Sequence, residues 1–174
     1  MEAHQVAIQP EAIESLQKEG LIEGATVFRG QQRLIVPAAQ LHSIAGRLKG
    51  RFGFDMLIDV TCVDYLTYPQ RDAVPARFGL VYQLLHTWDI KRLTLRVFVG
   101  DDDPVVPSLV PFWESANWLE REVWDLFGIR FDGHPDLRRI VLPKAFSSHP
   151  LRKDYPLQGM GERHNFPALR RGEG

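Results

Sequence analysis

A charged run in the C-terminal half is the densest group of residues that could do acid–base chemistry. It contains Glu120, Arg121, Glu122 and Asp125. Glu122 and Asp125 are three residues apart, so on a helix they share a face and could transfer protons or hold a hard cation. The sequence contains neither a Glu-x-x-His nor a Gly-x-Ser-x-Gly motif to accompany them. The run therefore favours a solvated or partner-facing charged surface, with Arg121 able to pair with Asp125, and leaves an acid–base hydrolase or lyase as the alternative.

Histidine and cysteine side chains do not have the spacing of a metal site. His134, His149 and His164 have no second histidine three or four residues away, the spacing that lets two ligands share a helix face. We therefore predict hydrogen bonding at a surface or interface for these histidines. Cys62 is the single cysteine, which excludes a disulfide within the chain or a cluster held by cysteines of this chain alone. Its place on the apolar face of a strand predicts an inert, buried thiol.

The last quarter of the chain differs from the rest in composition. Residues 129–174, called the arm below, carry nine basic and five acidic residues and five of the 12 prolines. Prolines interrupt long helices and central strands, yet aromatic and aliphatic residues recur as they would not in a linker. We predict an extended arm that wraps partner subunits, after an independent domain at 1–128.

Charge and hydropathy exclude several classes of protein. The 174 residues include 21 Lys and Arg against 22 Asp and Glu, for a net charge of −1. A protein that grips nucleic acid through phosphates normally has a basic excess. RNA binding by the arm, with its aromatic residues stacking on bases, stays an alternative. The sequence has no apolar run long enough to span a membrane and no secretory signal. Together with the single cysteine, this leads us to expect a reducing, cytoplasmic compartment.

Hydrophobic periodicity predicts the elements that position these residues. Helices are expected at Pro10–Glu19, from Pro37 to about Arg51, and near Ser108–Phe127, with Gly20 and Gly128 as stops. The strands are predicted at Ala25–Arg29, Arg33–Val36, Asp55–Val63, Phe78–Thr87 and Lys91–Val99. In Asp55–Val63 the alternation places Met56, Ile58, Val60 and Cys62 on one face. The fold class is therefore α+β: a small, mostly antiparallel sheet with helices on one face, followed by an extended, proline-rich C-terminal arm.

Two long tracts carry a resemblance to a known family. NWLEREVWDLFGIRFDGHPDLRRIVLP (Asn117–Pro143) and HPLRKDYPL (His149–Leu157) resemble the signature of the 30 kDa-type subunit, or C subunit, of proton-pumping NADH:quinone oxidoreductase (respiratory complex I). The resemblance continues through Asp59–Leu66, Asp101–Trp113 and Gly161–Pro167. It covers about two thirds of the chain, and its motifs occur in the family's order.

The resemblance implies a non-catalytic structural or assembly subunit in the peripheral arm of the complex. That complex transfers electrons from NADH to quinone, coupled to proton translocation, with FMN, iron–sulfur clusters and quinone on other subunits and no cofactor on this one. The implied partners are the D subunit, which forms much of the quinone site, and neighbouring cluster-bearing subunits at the cytoplasmic face of the inner membrane. Contact with the membrane would be only indirect. The signature positions, taken as partner-interface residues, are Glu120, Arg121, Glu122, Asp125, His134, Pro135, Arg138, Arg139, His149, Pro150, Arg152, Lys153, Asp154 and Tyr155.

Two points stay open within the resemblance. Related complexes accept electrons from donors other than NADH, and this subunit does not contact the donor, so a quinone-reducing complex with another donor is the alternative. The chain also departs from the family before His149, where the family usually has Gly and this sequence has Ser148. We therefore expect the backbone at Ser148 to avoid positive φ, or to adopt it at some cost.

Overall fold

Alternating and helical apolar patterns produce a five-stranded sheet covered by helices on one face. The computed structural model describes residues 7–162. The first residues of the chain and Arg163, His164, Phe166, Arg170 and Arg171 of the arm therefore lie outside the described part. The helices are α1 (Pro10–Lys18), α2 (Leu41–Gly50) and α3 (Ala116–Phe127), and the strands are β1 (Gly24–Phe28), β2 (Gln31–Ile35), β3 (Met56–Asp64), β4 (Phe78–His86), β5 (Lys91–Val99), β6 (Val105–Pro107) and β7 (Arg130–Asp132).

The first five strands form a sheet in the order β1-β2-β5-β4-β3. Three of its pairings are antiparallel, as predicted, and include the β4–β5 hairpin. The pairing of β2 with β5 is parallel, which no local pattern indicates. Helices α1, α2 and α3 all contribute buried side chains to the core cluster on one face of this sheet. The predicted α+β class is confirmed.

The predicted side-chain direction in β3 is wrong for its first half. Met56 and Ile58 are exposed, whereas Leu57, Val60 and Cys62 are buried. A register shift between Leu57 and Asp59 inserts one extra residue, which reverses the alternation. Such a bulge depends on pairing with β4 and leaves no signal in the period of the strand itself.

The third helix begins later than its apolar stripe suggests. It starts at Ala116 rather than near Ser108, and residues 108–115 form irregular chain and turns. Its end is as predicted: Gly128 has φ +77° in the left-handed region, where glycine is favoured, and its N–H bonds to the carbonyl of Trp124.

The arm begins by returning to the domain that precedes it. Strand β7 pairs in parallel with β6 and forms a second, two-stranded sheet. From there to residue 162 the chain follows turns and irregular stretches along α3 and the end of the large sheet. The boundary between residues 128 and 129 stays a prediction.

Candidate functional site

Helix α3 is buried on more than one side, which corrects the prediction of a solvated or partner-facing charged surface for three of its four charged residues. Glu120 and Asp125 have no exposed surface and Arg121 is 6% exposed; only Glu122 is exposed. The sheet covers one side of the helix, while hydrogen bonds from the arm reach Asp125 on another. These polar side chains are therefore buried between the sheet and the arm, and each of them needs an internal hydrogen-bond partner.

Asp125 holds the arm through both oxygens of its carboxylate. Oδ2 accepts hydrogen bonds of 2.8–3.0 Å from three consecutive backbone N–H groups of the arm, those of Ile140, Val141 and Leu142. Oδ1 accepts from Arg139 at 2.5 Å. Burial by itself would raise the pKa of Asp125, but the backbone donors and Arg139 outweigh it and lower the pKa below its ordinary value. We call this group of five residues the Asp125 clamp.

The backbone carbonyl of Asp125 extends the clamp to the next part of the arm. It accepts from His149 Nδ1 at 2.9 Å, which assigns the ring proton to Nδ1. The ring of His149 lies over Gly128, where an added Cβ would come within 2.7 Å of it. Gly128 is therefore needed both for its positive φ and for this close approach. Burial lowers the pKa of His149.

Arg139 orders a further turn of the arm. Its guanidinium stacks near Trp124 (5.6 Å) and Phe146 (5.9 Å) and donates to the carbonyl of Ser148 at 3.1 Å. Among the described non-glycine residues, positive φ occurs at Arg29 and Ile90. Ser148 therefore avoids positive φ, the first of the two outcomes expected where the family has glycine.

Glu120 fixes the loop that precedes α3. Its carboxylate accepts from Ser108 Oγ and from the backbone N–H of Leu109, each at 2.6 Å. Burial raises the pKa of Glu120 to about 7, against the opposing effect of these two donors. The perturbed carboxyl belongs to a side chain with no exposed surface.

Arg121 does not pair with Asp125, contrary to what their spacing suggests. Its Nε donates to the carbonyl of Arg138 at 3.1 Å, and its guanidinium stacks 4.8 Å from the Trp118 ring. His134 bonds through Nε2 to the carbonyl of Asn117 at 3.1 Å. Both contacts join α3 to the first part of the arm.

A second charge cluster, called the Arg77 cluster below, consists of Asp64, Arg77, Asp101, Arg152 and Asp154. The buried Arg77 donates to both oxygens of Asp64 (3.1 and 2.8 Å), to Asp101 at 2.6 Å and to Asp154 at 2.9 Å. Arg152 also pairs with Asp101 at 2.6 Å. Bonding to Asp64, above all, raises the pKa of Arg77, and the Arg77 bond lowers the pKa of Asp154. The cluster ties the arm to the ends of β3 and β5.

The remaining signature residues are exposed or half-buried, at the edge of the contacts described above. Lys153 is exposed but its backbone N–H donates to Asp64 at 2.8 Å, and Tyr155 donates to Glu162 at 2.9 Å. Pro135 and Arg138 are exposed, and Pro150 is half-buried. Whether these residues touch a partner stays a prediction.

Sequence patterns do not predict that Asp64, Arg77 and Asp101 form one cluster. At Asp101 they predict only a turn, and residues 101–103 form a bend. Asp64 has a usable signal, because it is in phase with the buried Val60 and Cys62. A carboxylate on the buried face of a strand requires a cation, but no pattern in the neighbouring sequence indicates that this cation is Arg77.

The arm also presents apolar side chains to solvent. Exposed along it are Val141 (55%), Leu151 (48%), Met160 (65%) and the fully exposed Leu157. They stand on backbone that the Asp125 clamp and the Arg77 cluster hold in place. Such a rigid, partly apolar ribbon is suited to protein contact.

The candidate metal ligands and acid–base groups lie in different environments within the described residues. Across residues 7–162, no three His, Cys, Asp or Glu side chains are placed to hold a metal ion. Glu120 and Asp125 are buried and each is bonded to fixed donors, while Glu122 faces outward. Cys62 is buried as predicted, and burial raises its thiol pKa to about 12. None of the helices in the described part of the chain is long and apolar enough to cross a membrane.

Comparison with known proteins identifies the family. The pattern of the family described as "Respiratory-chain NADH dehydrogenase, 30 Kd subunit" matches residues 34–161. The chain belongs to this family. The family predicted from the two signature tracts is therefore confirmed.

Named relatives agree with the family over most of the chain. The chain is 42% identical to the C subunit of NADH-quinone oxidoreductase from Laribacter hongkongensis, over 89% of this chain and 80% of that protein. It is 46% identical to the protein of the same name from Burkholderia mallei, over 82% of this chain and 72% of that one.

Solved structures share the fold. A trypsin-resistant fragment of Nqo5 is 38% identical with a TM-score of 0.65, covering 73% of this chain and 97% of the fragment. A chain of the membrane-bound sulfane sulfur reductase, an archaeal respiratory membrane complex, has a TM-score of 0.69 at 22% identity, covering 94% of this chain and 95% of that one. At that identity the second match shows the fold alone.

Proposed function

We propose that this protein is a non-catalytic structural subunit of the peripheral arm of NADH:quinone oxidoreductase. It lies at the cytoplasmic face of the membrane, contacts the quinone-site subunit and neighbouring cluster-bearing subunits, and itself binds neither FMN, an iron–sulfur cluster nor quinone. The names of its relatives and their coverage of the chain support this role.

The observation that carries the proposal is that residues of the family signature bond to other residues of the same chain. Asp125, Arg139, His149, Arg152 and Asp154 all bond within the chain and fix the path of the arm. A catalytic site would leave such groups facing a cleft. Here they set the course of an extended segment, which is the requirement for a subunit that joins others.

Because its backbone is held in place, the arm offers partners a preorganised surface. Holding its backbone lowers the entropy that would be lost when its exposed leucines and methionine are buried. Obligate interfaces often exceed ~2,000 Å², and an extended segment supplies more contact area than a compact one of equal length. The arm therefore acts as the principal contact of this subunit with its neighbours.

The domain before the arm is expected to fold by itself. The Nqo5 structure is that of a trypsin-resistant fragment, and it matches 73% of this chain. We infer that residues 1–128 form the corresponding resistant unit and that part of the arm completes its ordering on partner subunits.

Affinity purification of the tagged chain from its native host tests the proposal. Recovery of the quinone-site subunit together with cluster-bearing subunits is expected, and their visible absorption should be absent from the isolated chain. A Leu151→Ser/Leu157→Ser variant should recover less of them, whereas Ile90→Ser, which removes an exposed apolar group off the arm, should not. A chain that comes out alone, or that turns over a substrate unaided, contradicts the proposal.

RNA binding by the arm is disfavoured by its internal ion pairs. Arg130, Arg138, Arg139 and Arg152 each lie within 3.5 Å of a carboxylate of the same chain. Cations neutralised in this way contribute little to a track for phosphates. The stand-alone hydrolase is disfavoured by the burial of Glu120 and Asp125.

A further inference from the structure

The sheet face opposite the helices carries two arginines that share one cleft. Arg33 on β2 and Arg96 on β5 line a shallow cleft of about 260 Å³ together with Gln31, Val81, Gln83 and Thr94. In the sheet, Arg33 lies opposite Thr94, and Arg96 lies opposite Val81. The other polar side chains of the cleft are amides and a hydroxyl, so nothing on its walls neutralises the two cations.

These two arginines are held by aromatic side chains rather than by carboxylates. Eight Lys and Arg side chains in the described residues form ion pairs with carboxylates, but Arg33 and Arg96 do not. Instead, the Arg33 guanidinium stacks 4.8 Å from the Phe28 ring. Arg96 stacks 5.1 Å from the Phe98 ring and donates to the hydroxyl of Tyr65. Both guanidiniums are thus oriented while their charge stays unpaired.

One donor in the cleft is buried without an acceptor. Nε of Arg96 has no hydrogen-bond partner among the described residues, although the atom is shielded from solvent. Burying a charged donor in this way is costly unless an acceptor is supplied. Two unpaired guanidiniums that line the same cleft also repel each other. Both costs are removed when an anion enters the cleft.

The neighbouring surface indicates what accompanies that anion. Arg96 also borders a second hollow, of about 360 Å³, whose walls include Ile35, Tyr65, Val74 and Phe98. The first cleft is polar and smaller than common small-molecule pockets, which are mostly apolar and enclosing. It is therefore suited to one inserted side chain. The adjoining hollow is suited to an apolar side chain.

From this geometry we infer that an acidic segment of a neighbouring protein docks on the open face of the sheet. It places a carboxylate between Arg33 and Arg96, which offer planar forks for bidentate bonding, and an adjacent apolar side chain in the hollow beside Tyr65. The carboxylate residue Asp59 is on this face too, but it is on β3, opposite Gln83, so β4 separates it from the strands that carry the two arginines. This inference rests on the proposed function and adds the chemistry of one partner to it.

A photo-crosslinking amino acid at Val81, inside the cleft, tests the inference in the assembled complex. The expected crosslink joins this chain to a partner peptide that contains Asp or Glu next to an apolar residue. Crosslinks only to RNA or lipid, crosslinks to peptides without an acidic residue, or an assembled complex with no crosslink would each overturn it. If the chain purifies without partners, the proposed function fails instead.

The contribution of the two arginines to binding is measured by the rate at which the tagged subunit in the assembled complex exchanges with an excess of untagged chain. Arg33→Gln/Arg96→Gln should leave the complex ~30-fold faster or more, as for loss of one side of a buried ion pair. Arg33→Gln alone loses, within this chain, the stacking on Phe28. It should also leave the complex faster than the unsubstituted chain, which guards against misfolding of the double variant. Arg51→Gln, an exposed arginine at the end of α2, is the matched control and should exchange at the original rate. Equal rates for all variants would refute the inference.

Discussion

Replacing Asp125 by asparagine should release the arm while leaving the domain folded. The amide has nearly the same size as the carboxylate but turns one acceptor oxygen into an N–H donor. That donor must then face either the three backbone N–H groups of residues 140–142 or the guanidinium of Arg139. Either orientation places donor against donor and removes the charge that strengthened all four hydrogen bonds.

The size of the effect follows from this geometry. Breaking a buried ion pair from one side costs about 3–5 kcal/mol, and each lost hydrogen bond to a charged group about 1.5–3 kcal/mol. The substituted side chain would keep some of its bonds through its remaining oxygen, so we expect the arm to lose ~2–4 kcal/mol of local stability. That corresponds to a roughly 30- to 900-fold rise in the population of the open arm.

Hydrogen exchange of the amides of residues 140–142 measures this opening directly. Their protection should fall by the stated factor in Asp125→Asn, while the strands of the large sheet keep theirs. Glu122→Gln is the matched control, since it removes an exposed carboxylate from the same helix and should change neither region. Protection at 140–142 equal to that of the unsubstituted chain, or equal loss throughout the sheet, would refute the reasoning.

Three further predictions concern other buried groups. Burial raises the pKa of Glu120 from 4.5 to about 7. The contribution of this side chain to the free energy of unfolding should therefore be complete below pH 4.5 and fall by ~3 kcal/mol as the pH rises through 7. Urea unfolding of the unsubstituted chain and of Glu120→Gln at pH 5 and 8 measures this fall. Arg77→Gln leaves Asp64 buried without its cation and should lower the free energy of unfolding by about 3–5 kcal/mol in the same assay. Gly128→Ala combines positive φ with a Cβ 2.7 Å from the ring of His149 and should cost ~2 kcal/mol and raise trypsin cleavage within the arm.

Each of these has a control within the chain. Arg92→Gln removes an exposed strand arginine and should leave stability near its original value. Gly100→Ala adds a Cβ with no atom within 4 Å and should be tolerated. A Glu120→Gln variant whose stability tracks that of the unsubstituted chain at both pH values would show that Glu120 titrates as an ordinary carboxyl. If Arg77→Gln or Gly128→Ala proved as mild as its control, the packing argument for that site would be wrong.

Local patterns in the sequence predict most of the elements of the fold. The alternation of Leu93, Leu95 and Val97 and the hairpin with β4 appear in the structure as predicted. So does the end of α3 at Gly128. These features follow from periods of two and 3.6 residues and from the freedom of glycine at positive φ, all of which act between near neighbours. The family is also recognisable, because its signature is continuous along the chain.

The partners of the charged residues cannot be predicted from the chain in the same way. Spacing alone suggests that Arg121 pairs with Asp125 and that the charged residues of α3 form a solvated or partner-facing surface. The first suggestion is wrong, and the second is wrong for Glu120, Arg121 and Asp125. Arg139 is 14 residues from Asp125, and Lys153, whose backbone bonds Asp64, is 89 residues from it. Contacts of that length depend on how the arm crosses α3 and the ends of the sheet. Periodicity specifies which face of an element is apolar, but only the packed chain brings a buried carboxylate to the donors that neutralise it.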